Sequence, residues 1–65
     1  MKNNILNKIR LKRLEKNFSQ DYLASKIGIS QSYYARIESG KNALTLVNLL
    51  KIAEDLEVSP KKFFQ

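Results

Sequence analysis

Apolar side chains recur at helical intervals in the stretch QDYLASKIGISQSYYARI, which spans residues 20–37 of the chain. Leu23 and Ile27 lie four residues apart, and Tyr34 and Ile37 lie three apart, with mostly polar residues around them. Residues at these spacings share one face of an α-helix. The pattern predicts two short helices, each with one apolar face.

Three small or hydroxylated residues mark the ends of these helices. Ser19 and Ser30 each stand just before a helical run, where a serine hydroxyl can accept a hydrogen bond from a free backbone N–H of the first turn. Gly28 stands between the runs, and its missing Cβ permits a positive φ angle without strain. The two helices are therefore expected to meet at a tight corner.

The flanking segments predict three more helices. The first is expected over residues 4–16, and the fourth over Leu46–Leu56 after a cap at Thr45. A short fifth helix begins at Ser59-Pro60, because proline is favoured at the first helical position. The predicted core positions of the first and fourth helices are Ile5, Leu6, Ile9, Leu46, Leu49, Leu50, Ala53 and Leu56.

Two adjacent phenylalanines, Phe63 and Phe64, lie on the predicted fifth helix. Neighbouring side chains on a short helix point in different directions, so one ring can close the core while the other stays at the surface. An apolar surface there indicates a contact with a partner.

The composition excludes several classes of active site. The 65 residues contain no cysteine and no histidine, which removes disulfides, thiolate and imidazole metal sites, and histidine-dependent triads. No cofactor or small-molecule ligand is expected, and the six carboxylates show no pairing that suggests an enzyme. The length fits one domain, residues 1–65. Without an apolar run for a signal peptide or membrane helix, a cytoplasmic protein with no membrane partner is expected.

The net charge of +6 is unevenly distributed. Residues 1–41 carry nine Lys or Arg against three Asp or Glu, a balance of +6, whereas residues 42–65 carry three of each. The basic excess thus coincides with the predicted pair of short helices. Such a surface attracts a polyanion, because contact with phosphates releases condensed counterions. The alternative is a basic surface with no specific partner.

The run SQxxLAxxIGISQSxYxxIExGK, from Ser19 to Lys41, resembles the helix-turn-helix of the phage repressor and Cro-type (Xre) family of DNA-binding proteins. The likeness continues through LxxLLKIAxxLxV, residues 46–58, and so covers nearly the whole chain. It implies an all-α, compact five-helix, lambda-repressor-like domain whose second and third helices form the helix-turn-helix. The tract KNALTLVNLLKIA also resembles the controller proteins of restriction-modification systems. Asn17 stands where the family usually has glycine, and asparagine tolerates the same left-handed conformation.

The resemblance assigns base reading to the third helix, which in this family lies in the major groove of DNA with its N-terminal residues at the base edges. The base-reading candidates are Gln31, Ser32 and Arg36. A glutamine can pair with adenine N6 and N7 and an arginine with guanine O6 and N7, while serine is permissive.

Phosphate contacts are expected beside that helix. The phosphate-binding candidates are Gln20, Tyr33, Lys41 and Asn42. Gln20 begins the second helix, where free backbone N–H groups attract an anion. By resemblance, the Gln20 and Gln31 positions often touch each other.

Arg13 is a charged residue on the core-facing stripe of the first helix, and Glu38 stands at the end of the third. In the resembled family a matching arginine and glutamate form a largely buried salt bridge that joins these helices. The alternative is two solvated charges at the surface.

The function that these features imply is sequence-specific regulation of transcription. The resemblance implies a homodimer with Phe63 and Phe64 at the dimer contact, which is expected to bind a palindromic operator in double-stranded DNA with half-sites about 34 Å apart. RNA polymerase is a further candidate partner. The alternative is a protein-interaction module, such as an antitoxin or adaptor, that uses the same fold.

Overall fold

The structure, a computed structural model, describes the backbone of residues 4–65 and the side chains of residues 5–65. Four α-helices follow one another as α1 (Asn4–Glu15), α2 (Gln20–Ile27), α3 (Gln31–Glu38) and α4 (Leu46–Leu56), and a 3-10 helix, η1 (Pro60–Phe64), comes last. The predicted all-helical fold and the order of its elements are confirmed. No helix in residues 4–65 is long and apolar enough to cross a membrane.

The predicted fifth α-helix is instead the 3-10 helix η1. Pro60 occupies its first turn, and the N–H of Lys62 donates to the carbonyl of Ser59 at 2.9 Å, three residues back. The tighter i to i+3 pattern is used in short helical segments of this kind, which do not continue into an α-helix. The described residues therefore contain four α-helices, not five.

All three predicted N-caps are confirmed. The side-chain oxygens of Ser19, Ser30 and Thr45 accept hydrogen bonds from backbone N–H groups three residues ahead, at 2.9, 3.1 and 3.1 Å respectively. Each cap satisfies one donor that has no partner within its helix. The starts of α2, α3 and α4 are thus set by local chemistry.

The four α-helices all end in the same way. After each, one residue takes a left-handed conformation: Asn17 (φ 61°), Gly28 (φ 81°), Gly40 (φ 86°) and Glu57 (φ 61°). At each of these ends, the N–H of the following residue reaches a carbonyl five residues back, as in Ile29 to Ala24 at 3.0 Å. This pair of features is the Schellman motif. The sequence predicts this conformation at Asn17 and Gly28, whereas the glutamate at position 57 is unexpected.

The core lies between α2 and α4, with α1 and η1 closing it. The predicted buried residues Leu23, Ile27, Tyr34 and Ile37 are all less than 7% exposed, which confirms the apolar faces of α2 and α3. The main cluster comprises Ile9, Leu23, Ala24, Ile27, Tyr34, Leu49, Ile52, Ala53, Leu56 and Phe63.

The buried face of α4 differs from the predicted one. Leu46 and Leu50 were expected in the core, but they are 69% and 47% exposed. The buried positions are 48, 49, 52, 53 and 56, a set rotated around the helix toward Asn48 and Ile52. Leucine at every third or fourth position fits either arc, so the spacing of the apolar residues could not choose between them.

Candidate nucleic-acid interface

Helix α3 rests on the core through one face. Tyr34 and Ile37 are 0% and 1% exposed, so the helix cannot roll without uncovering both. Its start is held by the Ser30 cap. The opposite face of α3 consequently has a fixed direction toward solvent.

The three predicted base-reading residues lie on that opposite face. Gln31, Ser32 and Arg36 are all exposed. Ser32 and Arg36 stand four residues apart and so share one stripe of the helix. Within residues 5–65 none of the three side chains makes a hydrogen bond to another protein group. Their donors and acceptors are available to an external partner.

Tyr33 lies at the side of α3 and is half-buried. Its backbone N–H donates to Ser30 Oγ at 3.1 Å, and its hydroxyl oxygen accepts a hydrogen bond from Asn48 Nδ2 at 3.2 Å. Asn48, on α4, is only 7% exposed. Asn48 was not recognised from the sequence, although a polar residue within the apolar helix α4 was a signal that could have found it.

The loop after α3 folds back onto the end of that helix. The backbone N–H groups of Lys41 and Asn42 both donate to the carbonyl of Arg36, at 2.8 and 3.0 Å. Lys41 is exposed and Asn42 half-buried. These backbone hydrogen bonds therefore hold Lys41 and Asn42, two of the four predicted phosphate-binding residues, beside α3.

Gln20 begins α2 as predicted, but its side chain has a different hydrogen-bond partner from the Gln31 that the resemblance implied. Its Nε2 donates to Glu38 Oε1 at 3.0 Å, and within residues 5–65 no hydrogen bond joins it to Gln31. A carboxylate is a stronger acceptor than a side-chain amide, which favours this arrangement. The second N–H of the Gln20 amide remains without a partner among these residues.

Among residues 5–65, the carboxylate of Glu38 accepts the most side-chain hydrogen bonds. Arg13 donates to it from Nε at 3.0 Å and from Nη2 at 2.9 Å, and Tyr34 donates its hydroxyl at 2.5 Å. The side chains of Arg13 and Glu38 are 8% and 4% exposed. With the bond from Gln20, this carboxylate joins α1, α2 and α3.

The protonation states in this cluster follow from its contacts. Burial alone would raise the pKa of Glu38, but the hydrogen bonds from Arg13, Tyr34 and Gln20 outweigh burial and lower it. The hydrogen bond to Glu38 raises the pKa of Arg13. Burial, with the bond to Glu38, raises the pKa of the Tyr34 hydroxyl well above its usual range. The cluster therefore holds one carboxylate, one guanidinium and one protonated phenol.

The two terminal phenylalanines separate as the sequence suggested, with one ring inside and one outside. Phe63 is 3% exposed and belongs to the core, whereas Phe64 is 63% exposed. The Phe63 ring is covered within its own chain, so Phe64 is the exposed member of the predicted dimer contact.

Comparison with known proteins shows which family the chain belongs to. The helix-turn-helix family model HTH_3 matches residues 9–63, which include α2, α3 and the whole of α4. The chain belongs to the helix-turn-helix family of DNA-binding transcriptional regulators. Its relatives in this family are regulators and not enzymes.

Two named regulators resemble this helix-turn-helix chain in sequence. The control protein C.MunI of a Mycoplasma species is 39% identical over 59 residues, which cover 89% of this chain and 80% of C.MunI. The cryptic phage CTXphi transcriptional repressor RstR of Vibrio cholerae is 46% identical over 43 residues, 66% of this chain and 38% of RstR.

A solved structure has the same fold. The crystal structure of the restriction-modification controller protein C.AhdI from Aeromonas hydrophila superposes with a TM-score of 0.87 and 34% sequence identity. The match covers 94% of this chain and 92% of C.AhdI.

Proposed function

We propose that this helix-turn-helix protein regulates transcription by binding a two-fold symmetric operator as a homodimer, with α3 in the major groove. The observation that carries the proposal is the outward face of α3. Gln31, Ser32 and Arg36 are exposed there without hydrogen-bond partners among residues 5–65, on a helix held from behind by the Glu38 cluster. A rigid helix with free polar groups is what direct readout of base edges requires.

Specificity is assigned to two of these side chains. Gln31, in the first turn of α3, pairs with an adenine, and Arg36 with a guanine. Each bidentate contact is worth about 1–3 kcal/mol of discrimination against a wrong base. Ser32 contributes a permissive contact between them.

Phosphate contacts hold the protein in register. Lys41 and Asn42 contribute from the loop after α3, Tyr33 from the side of α3, and Gln20 from the first turn of α2. One amide N–H of Gln20 donates to Glu38. Its second amide N–H and the free backbone N–H groups of α2 therefore supply the phosphate contact.

The dimer contact is assigned to the apolar surface of α4 together with Phe64. Leu46, Val47 and Leu50 are 69%, 62% and 47% exposed and occupy neighbouring positions on one side of α4. Apolar side chains clustered in this way mark an association surface. Two-fold pairing of the protein matches the symmetry of a palindromic operator.

The proposed subtype is the controller protein of a restriction-modification system. C.MunI and C.AhdI, which match this chain over most of their lengths, both carry that type of name, whereas the match to RstR covers 38% of the repressor. RNA polymerase is a candidate partner for a regulator of this size that activates transcription from its operator.

Selection from a pool of random duplexes at moderate salt tests the function. The wild-type protein should retain a palindromic motif, and Gln31→Ala and Arg36→Ala should each lose definition at one position per half-site. Gln65→Ala and Arg10→Ala, which remove exposed residues of the same types elsewhere, should leave the motif unchanged.

Two other outcomes would contradict the proposal. Retention without a motif, weakened equally by salt in every variant, would reduce the protein to a binder of phosphates. No retention of any duplex would favour the protein-interaction module, with the apolar α4 surface and Phe64 as its binding site.

A further inference from the structure

Asn48 is a buried polar residue whose amide is directed at the DNA-binding helix. It lies on α4 among the core residues, 7% exposed, and its Nδ2 donates to the hydroxyl oxygen of Tyr33 at 3.2 Å. Its backbone N–H is bound to the Thr45 cap, so the residue sits in the first turn of α4. A buried amide in this position restricts where the ring of Tyr33 can lie.

The direction of this hydrogen bond has a chemical consequence. The Nδ2 group of asparagine can only donate, so Tyr33 acts as acceptor and its own O–H remains available. An O–H whose oxygen already accepts a hydrogen bond is polarised and becomes a better donor to a third group. Within residues 5–65 the Tyr33 hydroxyl donates to no protein group.

We propose that Asn48 is a positioning residue for DNA binding, which holds the Tyr33 hydroxyl so that its proton is donated to a DNA phosphate. The inference rests on the proposed function and deepens it, because Asn48 itself does not touch the DNA. Tyr33 is fixed at two points, its N–H by Ser30 and its hydroxyl by Asn48. The contact therefore forms without further ordering of the tyrosine side chain.

A phosphate is the appropriate acceptor on two grounds. Tyr33 lies to the side of α3, away from the outward stripe of Ser32 and Arg36, where the sugar-phosphate backbone borders the major groove. A phosphate oxygen accepts strongly from a neutral donor, and such a bond releases no counterion because the tyrosine carries no charge.

The test is a double-mutant cycle on the operator recovered by selection. Tyr33→Phe and Asn48→Leu should each weaken binding about tenfold, and the double variant should be no weaker than Tyr33→Phe alone. The recovered motif should be the same for all three, because a phosphate contact carries no sequence information.

The salt dependence separates this contact from a charged one. Tyr33→Phe and Asn48→Leu should leave the slope of log K against log salt unchanged, whereas Lys41→Gln should reduce it by about 0.9. Thermal unfolding of each variant establishes that the fold is retained before binding is compared.

Asn48→Asp gives a second variant that does not depend on replacing the polar group by an apolar one. The aspartate is of similar size but accepts the tyrosine proton instead of donating to the oxygen, so binding should fall further than for Asn48→Leu. In the Tyr33→Phe background there is no tyrosine proton to redirect. Asn48→Asp should therefore weaken binding less there than it does in the wild type.

Four results would overturn the inference. Additive losses in the cycle would show that Asn48 acts independently of Tyr33. A motif altered by Tyr33→Phe would place its hydroxyl on a base. Unchanged affinity of both single variants, with motif-specific binding by the wild type, would leave the proposed function standing and remove Asn48 from it. Failure of the wild type to bind any duplex would reject both.

Discussion

Arg13 and Glu38 lie 25 residues apart in sequence and form a two-point ion pair, with Nε and Nη2 of the arginine at 3.0 and 2.9 Å from the two carboxylate oxygens. Both side chains are nearly inaccessible to solvent. Arg13 also donates from Nη1 to the carbonyl of Phe18 at 2.8 Å, which fixes the turn between α1 and α2. This one pair therefore connects the first helix to the helix proposed to read DNA.

Removal of Arg13 should strongly destabilise the domain. Arg13→Ala leaves a buried carboxylate without its cation, which costs about 3–5 kcal/mol of unfolding free energy. Chemical denaturation followed by circular dichroism measures it. Lys12→Ala, which removes the neighbouring cation of the exposed Lys12–Glu15 pair, should shift the midpoint far less. Equal shifts for both variants would contradict a structural role of the buried pair.

Loss of the Tyr34 hydroxyl should also lower the free energy of unfolding. Tyr34→Phe keeps the ring in the core but removes one donor to Glu38, so the unfolding free energy should fall by about 1.5–3 kcal/mol. Tyr22→Phe is the matched control, because Tyr22 is 44% exposed and its hydroxyl has no hydrogen-bond partner among the described residues. A Tyr34→Phe variant as stable as the wild type would show that Arg13 and Gln20 suffice.

Glu38 should make stability depend on pH in the acid range. Its pKa is lowered in the folded protein from the ordinary value of 4.5, so protonation favours the unfolded chain. Its stabilising contribution is complete above pH 4.5 and is lost as the pH falls through the lower folded pKa. The stability difference between wild type and Glu38→Gln should therefore shrink below pH 4.5 in denaturation curves measured from pH 7 to 2. A difference constant across that range would refute the assignment.

Gly28 should be needed for its backbone conformation and not for space. A Cβ built at this position meets no atom within 4 Å, but φ is +81°. Gly28→Ala should thus cost about 1–2 kcal/mol from left-handed strain alone. Ser25→Ala, a nearby substitution at an exposed position of α2, serves as the control. If the two variants unfold at the same denaturant concentration, strain at this corner is negligible.

The apolar surface of α4 should control association. Leu50→Glu places a charge within the proposed dimer contact and should shift sedimentation from dimer toward monomer. Leu14→Glu is a close control, since Leu14 on α1 is also 47% exposed. A dimer disrupted by Leu14→Glu and not by Leu50→Glu would move the contact to α1.

The parts of the fold that could be predicted from the sequence are those fixed by interactions between residues close together in the chain. Ser19, Ser30 and Thr45 cap their helices because a hydroxyl in that position has few better partners. The buried arc of α4 could not be chosen in the same way, because it depends on where α1 and α2 present their side chains. Leu46 and Leu50 were misplaced for this reason.

In the candidate site, too, some features follow from local sequence and others depend on tertiary packing. The outward direction of Gln31 and Arg36 follows from the period of α3 once Tyr34 and Ile37 are placed inside. The partner of Gln20 did not follow, because both Gln31 and Glu38 were possible acceptors and only the packed structure brings the stronger one within reach. Long-range pairs of polar residues are not encoded in local spacing.

The residues proposed to read bases share no side-chain hydrogen bond with the cluster that holds their helix in place. Gln31, Ser32 and Arg36 can consequently be exchanged for other amino acids at little cost in folding. The three side chains proposed to read bases are thus distinct from those that stabilise the fold. Under the proposed function, substitutions at these three exposed positions change the operator while the packing of the domain is kept.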